Sequence, residues 1–211
     1  MRFLTIFLLT CCICAAQSVT LGVIGGGRVT DDVSQGATAA SRFYDIGPSI
    51  EVGLPLGLSF EFDALYHRQG FGFNFGNSIY SVVESERANS WEFPLLLKYK
   101  LPVPVLKPFV EVGVAPRRIS GNIFATGESA NIPQGGVTPF SRNMPTNWSP
   151  DYGVVAGGGV QIGIGRLRLS PQVRYTYWHS TPVVVVLSDG PTFYSSQNQV
   201  DVLLGIGWKF H

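Results

Sequence analysis

Residues 91–102, WEFPLLLKYKLP, carry the clearest structural pattern in the chain. Its side chains alternate between apolar and polar with a period of two, which indicates a β-strand. One face is aromatic and aliphatic from Trp91 to Leu101, whereas the other face carries Glu92 and two lysines. An apolar face of that length, bracketed by aromatic rings, is typical of a strand that crosses a bilayer with its charges turned away from lipid.

The composition favours an all-β chain of one domain. Of the 211 residues, 25 are Gly and 12% are aromatic, whereas only 14% are charged. Lys and Arg together number 15 against 14 Asp and Glu, so the chain lacks the basic surplus of nucleic-acid-binding proteins.

Residues 1–16, MRFLTIFLLTCCICAA, have the features of a secretory signal peptide. Arg2 precedes roughly ten apolar residues, which are too few for a helical span, and the run ends in small residues at Ala16. Every cysteine of the chain lies inside this segment. We therefore expect a single mature barrel domain, residues 17–211, that depends on neither disulfides nor thiol chemistry.

The period-two alternation recurs along the chain and predicts eight strands without a helix. The predicted strands are residues 18–29, 45–54, 58–67, 91–101, 107–116, 152–164, 167–177 and 200–210. Short connections at 55–57, 102–106 and 165–166 alternate with long ones, and short turns gathered at one end are typical of outer-membrane barrels. The sequence thus predicts an eight-stranded antiparallel up-and-down transmembrane β-barrel with both chain ends in the periplasm.

Two details of the long connections are predicted as well. The apolar parity changes after Arg68, which predicts a bulge near residues 69–70 and a hairpin protruding beyond the membrane zone. Residues 117–150 are polar and interrupted by Gly and Pro, which predicts the least structured loop and the best place for a binding role.

The face assignment sends charged side chains into the lumen and aromatic rings to the outside. The inward charges, six of each sign, are Arg28, Lys98, Lys100, Arg168, Arg174 and Lys209 against Glu51, Glu61, Asp63, Glu92, Glu111 and Asp201. The outward aromatic girdles are Tyr66, Trp91, Tyr152 and Tyr177 at the outer end and Tyr99, Trp208 and Phe210 at the inner end. The interior of an eight-stranded barrel is just wide enough for side chains, so this network is expected to plug it.

Three runs carry a resemblance to a known family: WEFPLLLKYKLP, KPFVEVGVA and DYGVVAGGGVQIGIGRLRLSPQVRYTYW. Together they resemble the outer-membrane-protein β-barrel domain family, the PorT-like group of small bacterial barrels, over nearly the whole mature chain. The resemblance implies a transmembrane barrel in a Gram-negative bacterium. It also implies a terminal aromatic residue read by the barrel-assembly machinery, and here Phe210 is followed by His211.

Catalytic and ligand-binding motifs are weak in this sequence. His179 beside Ser180 could be imagined as a base and a nucleophile, and Glu61 with Asp63 as an acid and base pair. An inert rim histidine and structural ion pairs are the simpler interpretations. No HExxH, CxxC, EF-hand or P-loop pattern occurs, so no metal or nucleotide cofactor is expected.

The leading functional hypothesis is a closed, non-enzymatic outer-membrane barrel with a structural or interaction role. Its expected partners are outer-membrane lipid, the assembly machinery during biogenesis and an unidentified extracellular or envelope partner of the outer loops. The alternatives are an outer-membrane lipid-modifying enzyme, a small solute channel, and a secreted soluble barrel that holds an apolar ligand and has its charges outside. The apolar run 183–187 is either a sticky rim or a strand extension.

Overall fold

The alternating segments pair with their neighbours and close into a ring of eight antiparallel barrel strands. This computed structural model describes residues 18–30, 33–34, 38–39, 44–76, 80–103, 106–131, 136–147, 150–180, 184–185 and 193–210. The predicted signal peptide, residues 1–16, lies outside the described residues. Within them, no helix has both the length and the apolar character needed to span a membrane.

The described elements are fifteen strands and one short 3-10 turn at Pro55–Gly57. The strands are β1 (Ser18–Arg28), β2 (Val33–Ser34), β3 (Thr38–Ala39), β4 (Asp45–Gly53), β5 (Leu58–Asp63), β6 (Leu65–Gly76), β7 (Tyr80–Glu92), β8 (Leu95–Lys100), β9 (Leu106–Asn131), β10 (Gly136–Asn147), β11 (Asp151–Ile164), β12 (Leu167–Trp178), β13 (Val184–Val185), β14 (Phe193–Ser195) and β15 (Asn198–Phe210).

Eight barrel strands result because two pairs of these elements are continuous with each other. β5 runs into β6, and β7 runs into β8, without a change of register: Phe62 pairs with Leu95, and Leu65 pairs with Glu92. The interruption falls at Pro94, which has no N–H to donate to the ladder. Its carbonyl still accepts a hydrogen bond from the Asp63 amide at 3.1 Å.

The bulge predicted near residues 69–70 is wrong. β6 pairs with β7 without interruption from Leu65 to Gly76, and Gln69 pairs directly with Ala88 inside that run. The parity change in the sequence therefore marks no change of register. The protruding hairpin itself is present and is formed by β6 and β7.

The register fixes the shape of the barrel. Successive pairs lead from Ser18 through Gly53, Ser59, Lys98, Glu111, Gly157, Arg174 and Asp201 back to the first strand at Arg28, ten residues from the start. A shear of ten residues over eight strands corresponds to a strand tilt of about 40°. At that tilt about ten residues cross an apolar band of roughly 25 Å, which matches the length of the apolar faces.

The two ends of the barrel differ. The turn end contains the short connections and the first and last described strand residues, Ser18 and Phe210. The turn between β4 and β5 places Leu56 at φ 63° and Gly57 at φ 79°, a conformation that glycine adopts without strain. The loop end lies opposite and contains the long connections.

A sheet extension projects from the loop end, and it corrects the prediction of an unstructured loop at 117–150. β9 continues to Asn131, where β7 pairs with one edge of it and β10 with the other. These two ladders satisfy its backbone hydrogen bonds in spite of the local Gly and Pro content. The segment 118–131 is roughly 45 Å long at about 3.3 Å per residue.

The apolar run 183–187 is described only at β13. This strand pairs with β14, and β14 pairs with β2, in a small three-stranded sheet separate from the barrel wall. The described part of the run therefore does not continue β12 upward, and the interpretation of Val184–Val185 as a strand extension of the barrel is wrong.

Candidate functional site

The lumen is crossed by side chains that join diametrically opposite strands. Each such link spans four strands in either direction around the ring. The links lie in three layers, which we name by their position: the central layer around Arg174, the loop-end layer around Arg28, and the turn-end layer around Lys100. Together they form the lumen network.

Arg174 organises the central layer. From β12 its guanidinium crosses the axis to β5, where Nη2 lies 2.7 Å from Glu61 and Nη1 lies 2.7 Å from Asp63. Its Nε lies 2.8 Å from Glu111 on β9. Short charge-assisted bonds to three carboxylates use the full donor geometry of an arginine and fix its side chain across the barrel.

Lys98 completes the central layer from β8. Its ammonium lies 2.6 Å from Glu61 and 3.2 Å from Glu111, and it donates a hydrogen bond to Gln172 at 3.2 Å. It also lies over the ring of Phe109, 4.4 Å from the centroid. Because Glu61 and Glu111 each contact both cations, the layer behaves as one unit and not as separate pairs.

A glycine makes room for this layer. Gly157 lies on β11 directly between the paired residues Glu111 and Arg174. A Cβ at this position would lie 2.8 Å from the carboxylate of Glu111 and 2.7 Å from a backbone carbonyl, closer than real Cβ atoms approach. The inward face can therefore hold the ionic side chains only because no side chain emerges here.

The loop-end layer is built around Arg28 on β1. Its guanidinium lies 3.0 Å from Glu92 and 3.4 Å from each of Asp45 and Asp201. Gln199 crosses the axis from β15, donating to Glu92 at 3.2 Å and to Asp201 at 2.8 Å.

Three further groups enclose the loop-end layer. Trp178 is fully buried and donates its indole N–H to Gln199 at 2.7 Å. The guanidinium of Arg117 stacks 3.7 Å from the Trp178 ring and pairs with Asp151 at 2.7 Å. His67, also fully buried, lies 3.4 Å from Asp45.

The turn-end layer consists of Lys100, Glu51 and Gln161. Lys100 on β8 forms an ion pair with Glu51 and donates a hydrogen bond to Gln161 at 3.0 Å. Gln161 in turn reaches Glu51 across the barrel at 3.5 Å. Only a void of about 30 Å³ lies between this layer and the central one, enough for about two water molecules.

Ten of the twelve charges predicted for the lumen take part in these ion pairs. They are Arg28, Glu51, Glu61, Asp63, Glu92, Lys98, Lys100, Glu111, Arg174 and Asp201. The prediction that Arg168 joins the ion pairs of the lumen is corrected. Its guanidinium donates to the carbonyls of Gly165 and Leu167 at 2.7 and 2.9 Å, and it pairs with no carboxylate among the described residues. Lys209 lies with Arg168 along a cavity at the turn end.

Sequence reasoning missed several members of the network. Asp45, His67, Arg117 and Asp151 lie at or just beyond the ends of the predicted strands, although β6 and β9 extend well past His67 and Arg117 in the structure. The glutamines carry no charge and so did not stand out. Their inward parity was the available signal, since buried polar groups are almost always hydrogen-bonded.

The outside of the barrel is apolar on every strand. Val110, Val23 and Phe60 are exposed to the extent of 63%, 52% and 50%, and similar Val, Leu, Ile and Phe residues continue around the ring. At the loop end the predicted aromatic girdle is outward: Trp91, Tyr152 and Tyr177 are exposed, and Tyr66 packs against Trp91 at 5.2 Å. At the turn end Tyr99, Trp208 and Phe210 are exposed.

Trp91 and Tyr99 mark the two ends of the apolar belt. They are eight residues apart on one barrel strand, which corresponds to roughly 20 Å along the axis at the tilt above, close to the apolar band of about 25 Å on outer-membrane barrels. A continuous apolar surface of this extent is rare on soluble monomers. A soluble carrier would need the opposite arrangement of the two faces.

Comparison with solved structures identifies the fold. The chain is similar to a major outer membrane protein from Thermus thermophilus, with 11% identity, 92% of this chain and 99% of that chain covered, and a TM-score of 0.50. The fold is that of a small outer-membrane β-barrel. No family profile and no curated protein sequence matches the chain.

Two other similar structures are outer-membrane barrels as well. Neisserial surface protein A has 12% identity, with 92% of this chain and 97% of that chain covered, and a TM-score of 0.49. The N-terminal β-barrel domain of Pseudomonas aeruginosa OprF has 14% identity, with 92% and 98% covered, and a TM-score of 0.47.

The candidate catalytic groups of this barrel are engaged in structural contacts. The ring of His179 stacks on Tyr152 with centroids 4.7 Å apart, and the Ser180 amide lies 3.3 Å from the Asp151 carboxylate. Glu61 and Asp63 are both held by Arg174. Among the described residues, no three His, Cys, Asp or Glu side chains are grouped as a metal site would require.

Proposed function

We propose that this chain is a closed, non-enzymatic barrel of the bacterial outer membrane that acts as a structural or interaction protein through its loop end. The observation that carries the proposal is the distribution of side chains. Arg174, Lys98 and Glu92 are buried in the lumen, and the valines and aromatic rings form the outer surface. A barrel with an apolar outer surface and a charged lumen is energetically favourable only when hydrocarbon surrounds it.

A barrel with this lumen is not a solute channel. The three layers join opposite strands, and each joins them through hydrogen bonds or ion pairs between buried groups. An ion crossing the barrel would have to displace at least one layer completely. Purified protein in a planar bilayer is therefore expected to show no stable conductance steps.

The proposed orientation places both chain ends and the short turns in the periplasm and the sheet extension outside the cell. The asymmetry of the connections supports it, because outer-membrane barrels have short periplasmic turns and long outer loops. An epitope tag inserted between β9 and β10, within residues 132–135, is then expected to bind antibody on intact cells. A matched tag at the turn 165–166 is expected to bind only after permeabilisation, and the reverse result would overturn the orientation.

We assign the proposed interaction role to the sheet extension. Its described side chains on the barrel-distal part of β9 and β10 are mostly polar and exposed, including Ser120, Asn122, Thr126 and Asn143. Phe124, 40% exposed, is the one large apolar side chain exposed among those described there, and a single ring does not form an apolar patch for a lipid. We infer a hydrophilic extracellular or envelope partner that pairs with a β surface.

The basic test of the proposal is membrane fractionation together with gel mobility. Folded protein is expected in the outer-membrane fraction and is expected to migrate faster when unheated than when boiled in detergent. Recovery as a soluble protein that folds without detergent would refute the membrane assignment. Incubation with lipid A and phospholipids is expected to leave both unchanged, whereas a released acyl chain would favour a lipid-modifying enzyme.

We also propose that the chain is a distant member of the PorT-like group. The three strand runs that carry the resemblance, at 91–102, 107–115 and 151–178, all lie in barrel strands of the structure. Phe210, exposed at the end of β15, is the residue proposed to engage the assembly machinery.

A further inference from the structure

The charges that face the lumen are balanced in total but separated along the barrel axis. Among the side chains that the structure describes, the sealed part holds four cations against seven carboxylates: Arg28, Lys98, Arg117 and Arg174 against Asp45, Glu61, Asp63, Glu92, Glu111, Asp151 and Asp201. The turn end reverses this excess: Lys100, Lys107, Arg168 and Lys209 face a single carboxylate, Glu51. The barrel therefore has an electropositive mouth at one end.

This turn-end mouth is a cavity and not a flat surface. Its volume is about 300 Å³, the lower limit of ordinary small-molecule sites. The turn residues Leu54, Gly57 and Leu101 form its rim, so it opens at the turn end. Its floor is the Lys100, Glu51 and Gln161 layer, which seals it from the rest of the lumen.

Within the part of the chain that the structure describes, three cations in the mouth are left without an acidic partner. Glu51 is already engaged by Lys100. No carboxylate among the described residues pairs with Lys107, Arg168 or Lys209, which come from β9, β12 and β15. Three uncompensated cations from separate strands around one cavity create a field that favours an anion.

Arg168 is held ready for such a ligand. One of its terminal nitrogens, Nη1, is fixed by two backbone carbonyls, which leaves the rest of the planar guanidinium to donate elsewhere. It lies between two glycines in the sheet, Gly163 and Gly207. A Cβ at Gly163 would lie 2.9 Å from that Nη1 atom, so the glycine maintains the space beside it.

We propose that the turn-end mouth binds a phosphate-bearing anion, with Arg168, Lys107 and Lys209 as its ligands. Arginine binds phosphate with paired donors, and the two lysines add point charges around it. The cavity is larger than a phosphate alone, and its apolar rim accommodates a small organic group such as a glycerol. The phosphate could belong to a free solute or to a lipid headgroup.

The test is a titration of the folded full-length barrel in an uncharged maltoside detergent at low ionic strength. Glycerol 3-phosphate represents the free solute, and dihexanoyl phosphatidylglycerol represents the headgroup, with dihexanoyl phosphatidylcholine as its zwitterionic control. Calorimetry is expected to give saturable binding at one site for one or both phosphate probes. The probe that binds more tightly identifies the source.

The variants separate a built site from general charge attraction. R168Q is expected to weaken binding about tenfold, the loss of one good charge-assisted contact, and the double variant K107Q/K209Q, which removes two point charges, is expected to weaken it at least as much. R168K should weaken it less. R118Q removes the same charge from an exposed position on β9 at the loop end and is the matched control. Unchanged heat-dependent mobility establishes that each variant is folded.

Several results would overturn the proposal. Absence of saturable binding by the wild-type protein is one, and equal weakening by R118Q is another. A third is competition by chloride that is as effective as competition by phosphate at the same concentration, which would show that the mouth is a nonspecific basic surface. None of these outcomes bears on the proposed role of the loop end.

Discussion

Replacing Arg174 with Leu is expected to lower the free energy of unfolding by about 3–5 kcal/mol, the range for removing one partner of a buried ion pair. Arg174 is 1% exposed and contacts three carboxylates at 2.7–2.8 Å. Lys98 still compensates Glu61 and Glu111 in the variant. Asp63 loses the only cation that contacts it among the described residues.

The measurement is reversible urea unfolding in lipid vesicles, followed by tryptophan fluorescence and by gel mobility. At about 2–4 °C per kcal/mol for a chain of this size, the loss corresponds to a midpoint about 10 °C lower in a thermal melt. The matched control is Arg168→Leu. Arg168 donates only to two carbonyls near an exposed turn, so its loss should cost less than about 1 kcal/mol.

A double-mutant cycle tests the cause of the loss. If the cost of Arg174→Leu comes from an uncompensated carboxylate, then adding Asp63→Asn should recover part of it, with a coupling energy of about 1–3 kcal/mol. An Arg174→Leu transition that matches the wild type, or one that matches Arg168→Leu, would refute the network as a structural element.

Three further predictions test the faces and the packing of the barrel. In vesicles of brominated lipid, the fluorescence of single-tryptophan variants that retain Trp91 or Trp208 should be quenched, whereas that of a variant retaining the fully buried Trp178 should not. Equal quenching of all three would contradict the face assignment. Gly157→Val should prevent folding, because its side chain would meet the Glu111 carboxylate and a backbone carbonyl; a normal yield of heat-modifiable protein would show that the layer can rearrange. Arg174→Ala should leave planar bilayers silent, because the loop-end and turn-end layers still join opposite strands; stable conductance steps would show that these two layers do not close the lumen.

The alternation of side chains was sufficient to predict the strands and their faces. In the stretch from Trp91 to Leu101, both lysines lie inside and the apolar residues lie outside, except for Pro94 and Leu96, which are buried on the inward face. This works because a strand places successive side chains on opposite sides, so the pattern alone records which residues meet lipid. The extended β9 was missed because the polar, Gly-rich segment 118–131 carries no such pattern beyond the membrane zone, where neither face is required to be apolar.

The residue pattern alone was enough to predict a barrel wall with apolar residues outward and ionic residues inward. It could not determine which ionic residues meet. Arg174 and Asp63 are more than a hundred residues apart, and they touch only because the shear of ten residues brings β12 opposite β5 at the right height. The same register separates Arg168 from the network and places it at the turn end. The face on which a side chain lies is set locally by its own strand. Its height along the barrel axis depends on the register of every strand around the ring, so that height is fixed only when the barrel closes.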